Sequence, residues 1–328
     1  MKVGIIGLGN LGSAVAYLAA GNGHPVLAWE YDQAVVDEVN RQHTNQRYLK
    51  GIQLPEQVSA TTCVEEVFAG SELVFITLPS RFIPQVLGAC AGRADTTIGL
   101  VNMAKGLHVE TGKTAYQMLA ELFPDNPKAM LAGPSLANEF VHGVLTAVVA
   151  ASDDAGLITN IGIVLNNKRF AVSRSGDVMG VELGGILKNI YALGLGVFAD
   201  REDRGLNFIG AYLTQAITEI QVLGVALGAK KESFWRLSGI GDLIATAMSP
   251  QSHNVTMGKL VAQGLSVAEI EAGLGVLPEG YNTLQVALRL AGEHGVSLPL
   301  AALLQRLIAG ELSVDAFLDA FAATLSGC

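Results

Sequence analysis

Charge is scarce in this chain. Only 16% of its 328 residues are Asp, Glu, Lys or Arg, whereas half are hydrophobic. That balance excludes a disordered polymer. The charge present leans acidic, 30 carboxylates against 21 Lys and Arg for a formal −9, and no basic cluster offsets it. A nucleic-acid surface is therefore excluded as a partner. Cysteine is sparse too. Cys63, Cys90 and Cys328 are an odd, widely spaced set that suggests neither a disulfide framework nor a zinc site. The six histidines (His24, His43, His108, His142, His253, His294) lack metal-ligand spacing, and neither H-E-x-x-H nor G-x-S-x-G occurs, so no metal is expected. Long uninterrupted apolar runs are missing as well. The most apolar later stretch, Leu183 to Ala199, contains Lys188, Asn189 and four glycines, whereas a membrane span needs about 20 mainly apolar residues. Glycines also break up the apolar start, which argues against a signal peptide. A soluble cytoplasmic protein without membrane insertion is the expectation.

Glycine, by contrast, is abundant, at 38 residues, and its placement is informative at the N-terminus. The opening reads KVGIIGLGNLGSAVAYLAAGNGHPVLAWEYD. Val3 to Ile6 suits a buried parallel strand. Gly7, Gly9 and Gly12 follow in G-x-G-x-x-G spacing, Ser13 to Gly21 favours a helix, and Pro25 to Trp29 reads as a second strand ending on Glu30. Glycine is needed for the tight turn at Gly7, for backbone approach to a pyrophosphate at Gly9 and for close helix packing at Gly12. The N–H groups of the helix start, at Asn10 and Leu11, face the anion. A strand before the motif, a helix after it, and an acidic residue eighteen positions beyond Gly12 supply the context that makes the motif specific. Glu30 is read as the ribose-hydroxyl acceptor, against the plainer alternative of a solvated loop carboxylate. Tyr31 stands where a 2′-phosphate would call for arginine, so NAD is expected rather than NADP.

Further along, strands and helices alternate. Ala34–Arg41 is a predicted helix and Asn45–Pro55 a loop with basic and aromatic residues. Leu73–Leu78, Ile98–Asn102, Met130–Ala132, Thr146–Ala151 and Phe170–Val172 are predicted strands, with a helix over Asp154–Leu165. This is the pattern of a Rossmann-type, doubly wound parallel α/β sheet. From Asp177 onward only helical periods appear, punctuated by glycine and proline. Two domains are therefore expected: residues 1–177, binding the dinucleotide, and 178–328, all-helical and carrying the substrate and catalytic groups, with the site in the cleft between them.

Three candidates for chemistry stand out. Lys188 lies in ELGGILKNIYALGLG, where nearly every neighbour is apolar. A desolvated ammonium there would be shifted toward a useful proton-donor range, unless the side chain snorkels to solvent. Asp242 lies in SGIGDLI among apolar and small residues, and a buried carboxylate requires a cation or several donors. Lys188 is its natural partner, Thr246 falls on the same helical face, and a helix N-cap is the plainer role for Asp242. Lys105 follows a strand at the ligand-facing edge, where it could hold an anion or be an ordinary loop lysine. Gly112-Lys113-Thr114 resembles the end of a phosphate-binding loop, but Leu107 stands where the first glycine is required.

Taken together, GLGNLG (7–12), NQRYLKGI (45–52), AKGLHVETG (104–112), AGPSLANEFVHGVLTAVVAAS (132–152), ELGGILKNIYALGLG (182–196), SGIGDLIATAMSPQSHN (238–254) and PEGYNT (278–283) resemble the NAD(P)-dependent glycerol-3-phosphate dehydrogenase family along nearly the whole chain. The resemblance implies a dihydroxyacetone phosphate/glycerol 3-phosphate site and supply of the glycerol backbone of phospholipids. Lys188 would be the proton donor, oriented by Asp242, with Lys105 also at the reacting centre. Lys105, Ser135, Asn189, Thr246, Ser252, His253 and Asn254 would hold the substrate. Pro79, Ala137, Asn254 and Glu279 would join the glycine loop and Glu30 around the cofactor. A homodimer is likewise implied.

Two departures bear on the substrate. The resemblance implies arginine where His253 and Gln215 stand, and a bidentate phosphate clamp would be lost with it. The loop before Asn207 has instead gained Arg201 and Arg204. Those arginines could replace the clamp, or pair with Glu202 and Asp203 as a solvated cluster. Alternatively, the substrate is a small keto compound without the phosphate.

Overall fold

In the computed structural model, residues 1–201 and 205–326 are described. Arg204, Glu202, Asp203 and Cys328 lie outside them. The chain divides into two compact units. One comprises Met1–His108 with Lys113–Glu182, the other Val109–Gly112 with Leu183–Cys328.

The first unit is built on one eight-stranded sheet: β1 (Val3–Ile6), β2 (Val26–Trp29), β3 (Val58–Thr61), β4 (Leu73–Ile76), β5 (Gly99–Asn102), β6 (Lys128–Ala132), β7 (Thr146–Ala151) and β8 (Phe170–Ser175). Their spatial order is β3-β2-β1-β4-β5-β6-β7-β8. Helices α1 (Asn10–Gly21), α2 (Gln33–Gln42), α3 (Val64–Gly70), α4 (Ile83–Leu87), α5 (Ala115–Leu122), α6 (Ala137–Phe140) and α7 (Ala155–Leu165) connect them. Central strands are buried on both faces, so they read as continuous apolar runs. Val3 and Ile5 of β1 pack with α1, α2 and α7, whereas Ile6 packs with α3, α4 and α5. These two cores make the unit a three-layer sandwich.

The sheet differs from a purely parallel one at a single pair. β6 and β7 run antiparallel, with Met130 opposite Ala151 and Ala132 opposite Val149. The link from Gly133 to Leu145 contains only the one-turn α6. A parallel return usually needs a longer crossover helix, which α7 provides between the parallel β7 and β8. Strand β3 is absent from the predicted strands. It lies at the sheet edge with only Val58 and Ala60 buried, so it lacks the continuous apolar run that marks β1 and β4.

Helix α8 (Val178–Val197) opens at the end of the first unit and runs through the second. It is followed by α9 (Leu206–Ala226), α10 (Asp242–Ala247), α11 (His253–Ala262), α12 (Val267–Leu274), α13 (Glu279–Glu293), α14 (Pro299–Ile308) and α15 (Val314–Ser326). Among the described residues, no strand follows β8. Helices α8 and α9 are long and apolar enough to cross a membrane, but 89% of the α8 window is buried within the protein. That identifies α8 as a core helix. Phe198, Phe208, Tyr212, Phe317 and Phe321 form a connected ring cluster in this unit.

Candidate active site

The strand order reverses between β1 and β4, where open α/β sheets bind ligands at their carboxyl ends. The glycine loop lies there. Gly7 takes φ +102°, a conformation that side chains rarely adopt, and packs against Leu78, next to the exposed Pro79. A Cβ on Gly12 would stand 1.9 Å from the Gly7 carbonyl oxygen, so α1 packs on the loop only because residue 12 has no side chain. A Cβ on Gly9 would meet nothing within 4 Å. The open space above Gly9 and the lack of a side-chain cap on α1 fit a pyrophosphate at this helix start. Exposed Asn10 donates to the Tyr48 carbonyl at 2.7 Å, and Leu11 is half-buried against the core.

The loop is held from behind by residues that motif reading left unassigned. Asn45 and Ser13 both donate to the Leu8 carbonyl, at 2.8 and 3.0 Å, and Asn45 also donates to Ser13 Oγ at 2.9 Å. Glu30 takes the other side of the same residue. Its Oε2 accepts from the Leu8 amide at 3.2 Å and its Oε1 from the Asp32 amide at 3.3 Å. Glu30 is 3% exposed, so it is not a solvated loop carboxylate. Burial raises its pKa, against the lowering effect of the backbone donors. Tyr31 is exposed, as its loop position suggests, but a cation does reach this corner. Arg47 lies 2.8 Å from Asp32 Oδ2 and over the Tyr48 ring, 5.1 Å from its centroid. Only the fold of the Asn45–Pro55 loop brings it there.

Lys105 is half-buried in the turn after β5. Ser135 donates to the Gly133 carbonyl at 3.0 Å in the turn after β6, and Ala137, buried, opens α6.

In the second unit, the sharpest sequence expectation becomes geometry. Lys188 and Asp242, 4% and 2% exposed, form a direct ion pair, and Lys188 Nζ also donates to Thr246 Oγ1. Thr246 Oγ1 lies 3.3 Å from Asp242 Oδ1, closing the triad. Lys188 therefore does not snorkel, and Asp242 is not a cap, since α10 is capped at Gly241. One feature of the preceding segment sets this register. Leu237–Gly241 forms a π turn, in which the Gly241 amide bonds back to the Arg236 carbonyl at 3.2 Å. A Cβ on Gly184 would come within 2.5 Å of the Ser238 carbonyl oxygen. Gly184 and Lys188 are one helical turn apart on α8, as Ser238 and Asp242 are on the facing segment. The close approach at the first pair thus brings the second into contact.

Beside this triad, Asn254 Nδ2 donates to Asn189 Oδ1 at 3.1 Å, and Asn254 Oδ1 accepts from the Gly280 amide at 2.9 Å. This joins α8, α11 and α13. Glu279 begins α13, half-buried. Ser252 caps α11 by accepting from the Val255 amide, and exposed His253 is the first residue of that helix. Gln215 donates to Glu219 at 2.9 Å inside the unit. Arg201 pairs with Asp315 at 3.0 Å, while the expected partners Glu202 and Asp203, and Arg204, lie outside the described residues.

Glu219 and Glu182 are buried carboxylates without a role in the sequence analysis. Glu219 accepts from Tyr191, from Gln215 and from the Leu300 and Ala301 amides at the start of α14. Burial raises its pKa despite these donors. Glu182, on the apolar α8, is the other. An acidic residue in so apolar a helix was the available signal.

Residues 2–158 match the model of the NAD-dependent glycerol-3-phosphate dehydrogenase N-terminus, and residues 177–319 that of its C-terminus. The chain belongs to the NAD-dependent glycerol-3-phosphate dehydrogenase family. A curated family relative, glycerol-3-phosphate dehydrogenase [NAD(P)+] of Pseudomonas entomophila (strain L48), is 40% identical over 300 residues, covering 92% of this chain and 87% of the relative. Its counterpart from Sphingopyxis alaskensis is 34% identical over 301 residues, covering 92% and 90%. The crystal structure of glycerol-3-phosphate dehydrogenase from Coxiella burnetii superposes with a TM-score of 0.89 at 29% identity, covering 99% of this chain and 98% of that one. The family's nicotinamide dinucleotide is accordingly the cofactor class that the glycine loop fits.

Proposed function

We infer that this chain is an oxidoreductase that interconverts sn-glycerol 3-phosphate and dihydroxyacetone phosphate with a nicotinamide cofactor. The observation that carries the chemistry is the buried Lys188–Asp242–Thr246 triad. When bound, the cofactor supplies or accepts the hydride. Lys188 gives a proton from Nζ to the developing alkoxide and takes one back in the reverse direction. Asp242 holds the ammonium in place and keeps the buried site neutral overall, and Thr246 fixes the approach of Nζ. Lys105 places a second cation against the substrate. Asn189 and Asn254 orient its hydroxyls. Ser135 and the α11 start, Ser252-His253-Asn254, complete the hold on it, with the positive end of the helix dipole favouring the phosphate.

Around the cofactor, Gly7, Gly9, Asn10, Leu11 and Gly12 would take the pyrophosphate, with Pro79, Ala137, Asn254 and Glu279 as further contacts. We assign NAD over NADP. Glu30 places an anion by the ribose, and Arg47 is engaged by Asp32. The working form is taken to be a cytoplasmic homodimer. The relatives support a phosphate-bearing substrate and lend nothing to the alternative keto compound. Nor does the placement of Arg201 favour a relocated clamp, since its guanidinium already faces Asp315.

The test follows NADH oxidation with dihydroxyacetone phosphate beside dihydroxyacetone, for the wild type, Lys188→Ala and Arg201→Ala/Arg204→Ala. Strong preference for the phosphate, no turnover by Lys188→Ala with NADH still bound, and preference intact in the arginine variant are expected. Equal use of both ketones would refute the substrate. Undiminished turnover by Lys188→Ala would refute the proton donor.

A further inference from the structure

The chemistry above leaves unused a carboxylate buried near the start of α8. Glu182 is 1% exposed. Its Oε1 accepts from the Tyr116 amide at 2.8 Å and from Asn102 Nδ2 at 3.2 Å, and the Thr114 side chain donates to it as well. Asn102 is the last residue of β5 and is fully buried. Its side chain holds Ala104 through both backbone polar groups. Nδ2 donates to the Ala104 carbonyl at 3.3 Å, and Oδ1 accepts from the Ala104 amide at 3.0 Å. Lys105 is the next residue. A continuous set of hydrogen bonds thus runs from the Glu182 carboxylate to the peptide that carries Lys105.

We propose that Glu182 is a positioning residue, whose carboxylate acts through Asn102 to fix the backbone from which Lys105 meets the substrate. This rests on the reading of Lys105 as a substrate contact. An anionic acceptor matches its surroundings, because Tyr116 N–H, Asn102 Nδ2 and the Thr114 hydroxyl all donate toward it. A neutral acid would accept more weakly and would carry a proton of its own into that set.

The hold is therefore sensitive to protonation. Burial pushes the Glu182 pKa up to about 7, with Thr114 and Tyr116 pulling it down. From β5 it faces the neutral Asn102, from the cap of α5 the neutral Thr114, and from α5 itself the titratable Tyr116, behind which stands Asp153. Its neighbours three and four residues away on α8, Val178, Met179, Gly185 and Ile186, are uncharged. Between pH 8 and pH 6 the carboxylate takes up a proton and the turn loosens.

The experiment compares wild type with the isosteric, non-ionising Glu182→Gln. Deuterium uptake over residues 102–106 is measured at pH 6 and pH 8, corrected for intrinsic exchange, together with kcat and KM for dihydroxyacetone phosphate. In the wild type, protection of the Ala104–Lys105 amides should fall roughly tenfold from pH 8 to pH 6, as a charge-assisted bond becomes a neutral one. The variant should show the low value at both pH values. Its KM relative to wild type should be raised several-fold at pH 8 and approach one at pH 6, with kcat less affected. Because the titrating substrate phosphate is common to both proteins, the ratio removes its contribution. Equal protection in both proteins at both pH values would overturn the inference, and so would a KM ratio that does not change with pH. The wild-type exchange profile needs no variant, so a Glu182→Gln protein that failed to fold would still leave it decisive. Absent turnover with the protection change intact would overturn the substrate reading while supporting the hold on the Lys105 backbone.

Discussion

Replacing Lys188 and Asp242 singly and together separates their structural role from their chemical one. Both are almost completely buried and in direct contact. Removing one partner strands an uncompensated buried charge, which costs about 3–5 kcal/mol. Replacing both by apolar residues of similar volume is often neutral or stabilising. Lys188→Met and Asp242→Leu should therefore each lower the folded/unfolded ratio by roughly a thousandfold, 4 kcal/mol at 1.4 kcal/mol per decade. At roughly 2–4 °C per kcal/mol for a unit of this size, each single variant should melt about 10 °C lower in the transition of the second unit. The double variant should recover most of that loss. Circular dichroism melts, checked for coincident probes, measure all three. Turnover should be absent in all three, because a recovered fold cannot restore a missing proton donor. If the double variant lost the sum of the two single penalties, the side chains would not be interacting as an ion pair. If it kept turnover, the pair would be structural only.

Other outcomes follow from the same geometry. Because burial outweighs the local donors and raises the folded pKa of Glu182 to about 7 from an ordinary 4.5, ionising it costs the whole fold stability even as the anion tightens the Asn102 turn. That stability is fully present below pH 4.5 and is lost as pH rises through 7, by about 3 kcal/mol in all. Glu182→Gln should flatten this part of the denaturation midpoint against pH, and an unchanged slope between pH 5 and pH 8 would refute the assignment. Glu30→Ala should narrow the ratio of NADP to NAD dissociation constants and also loosen the Leu8 loop; a constant ratio would remove Glu30 from the ribose site. Gly12→Ala forces a Cβ to within 1.9 Å of the Gly7 carbonyl, so NADH binding by fluorescence titration should be abolished. Binding within twofold of wild type would mean that the loop tolerates another path.

How much of this was legible in the chain depends on how far apart the interacting residues are. Gly7, Gly9, Gly12 and Glu30 fall within one strand–helix–strand unit, where local spacing fixes their relations. Lys188 and Asp242 were legible for a different reason. Each is a charge in an apolar surrounding, and burial leaves such charges few choices but one another. The fold class followed from the alternation of strand and helix periods. The antiparallel β6–β7 pair did not, because sheet direction is set by the length and path of a connection rather than by the strand's own residues. Asn45, Arg47 and Glu219 were not legible as site or scaffold residues. Asn45 reaches Leu8 across 37 positions, and Glu219 reaches the α14 start across 81. The chain by itself thus determined which groups had to be paired and which turns had to be glycine, because desolvation and steric exclusion act on each residue wherever it lies. Only the tertiary structure decided the partners of Glu182, Gln215 and Arg201, because a polar side chain accepts any suitable donor or acceptor and the fold alone selects which one arrives.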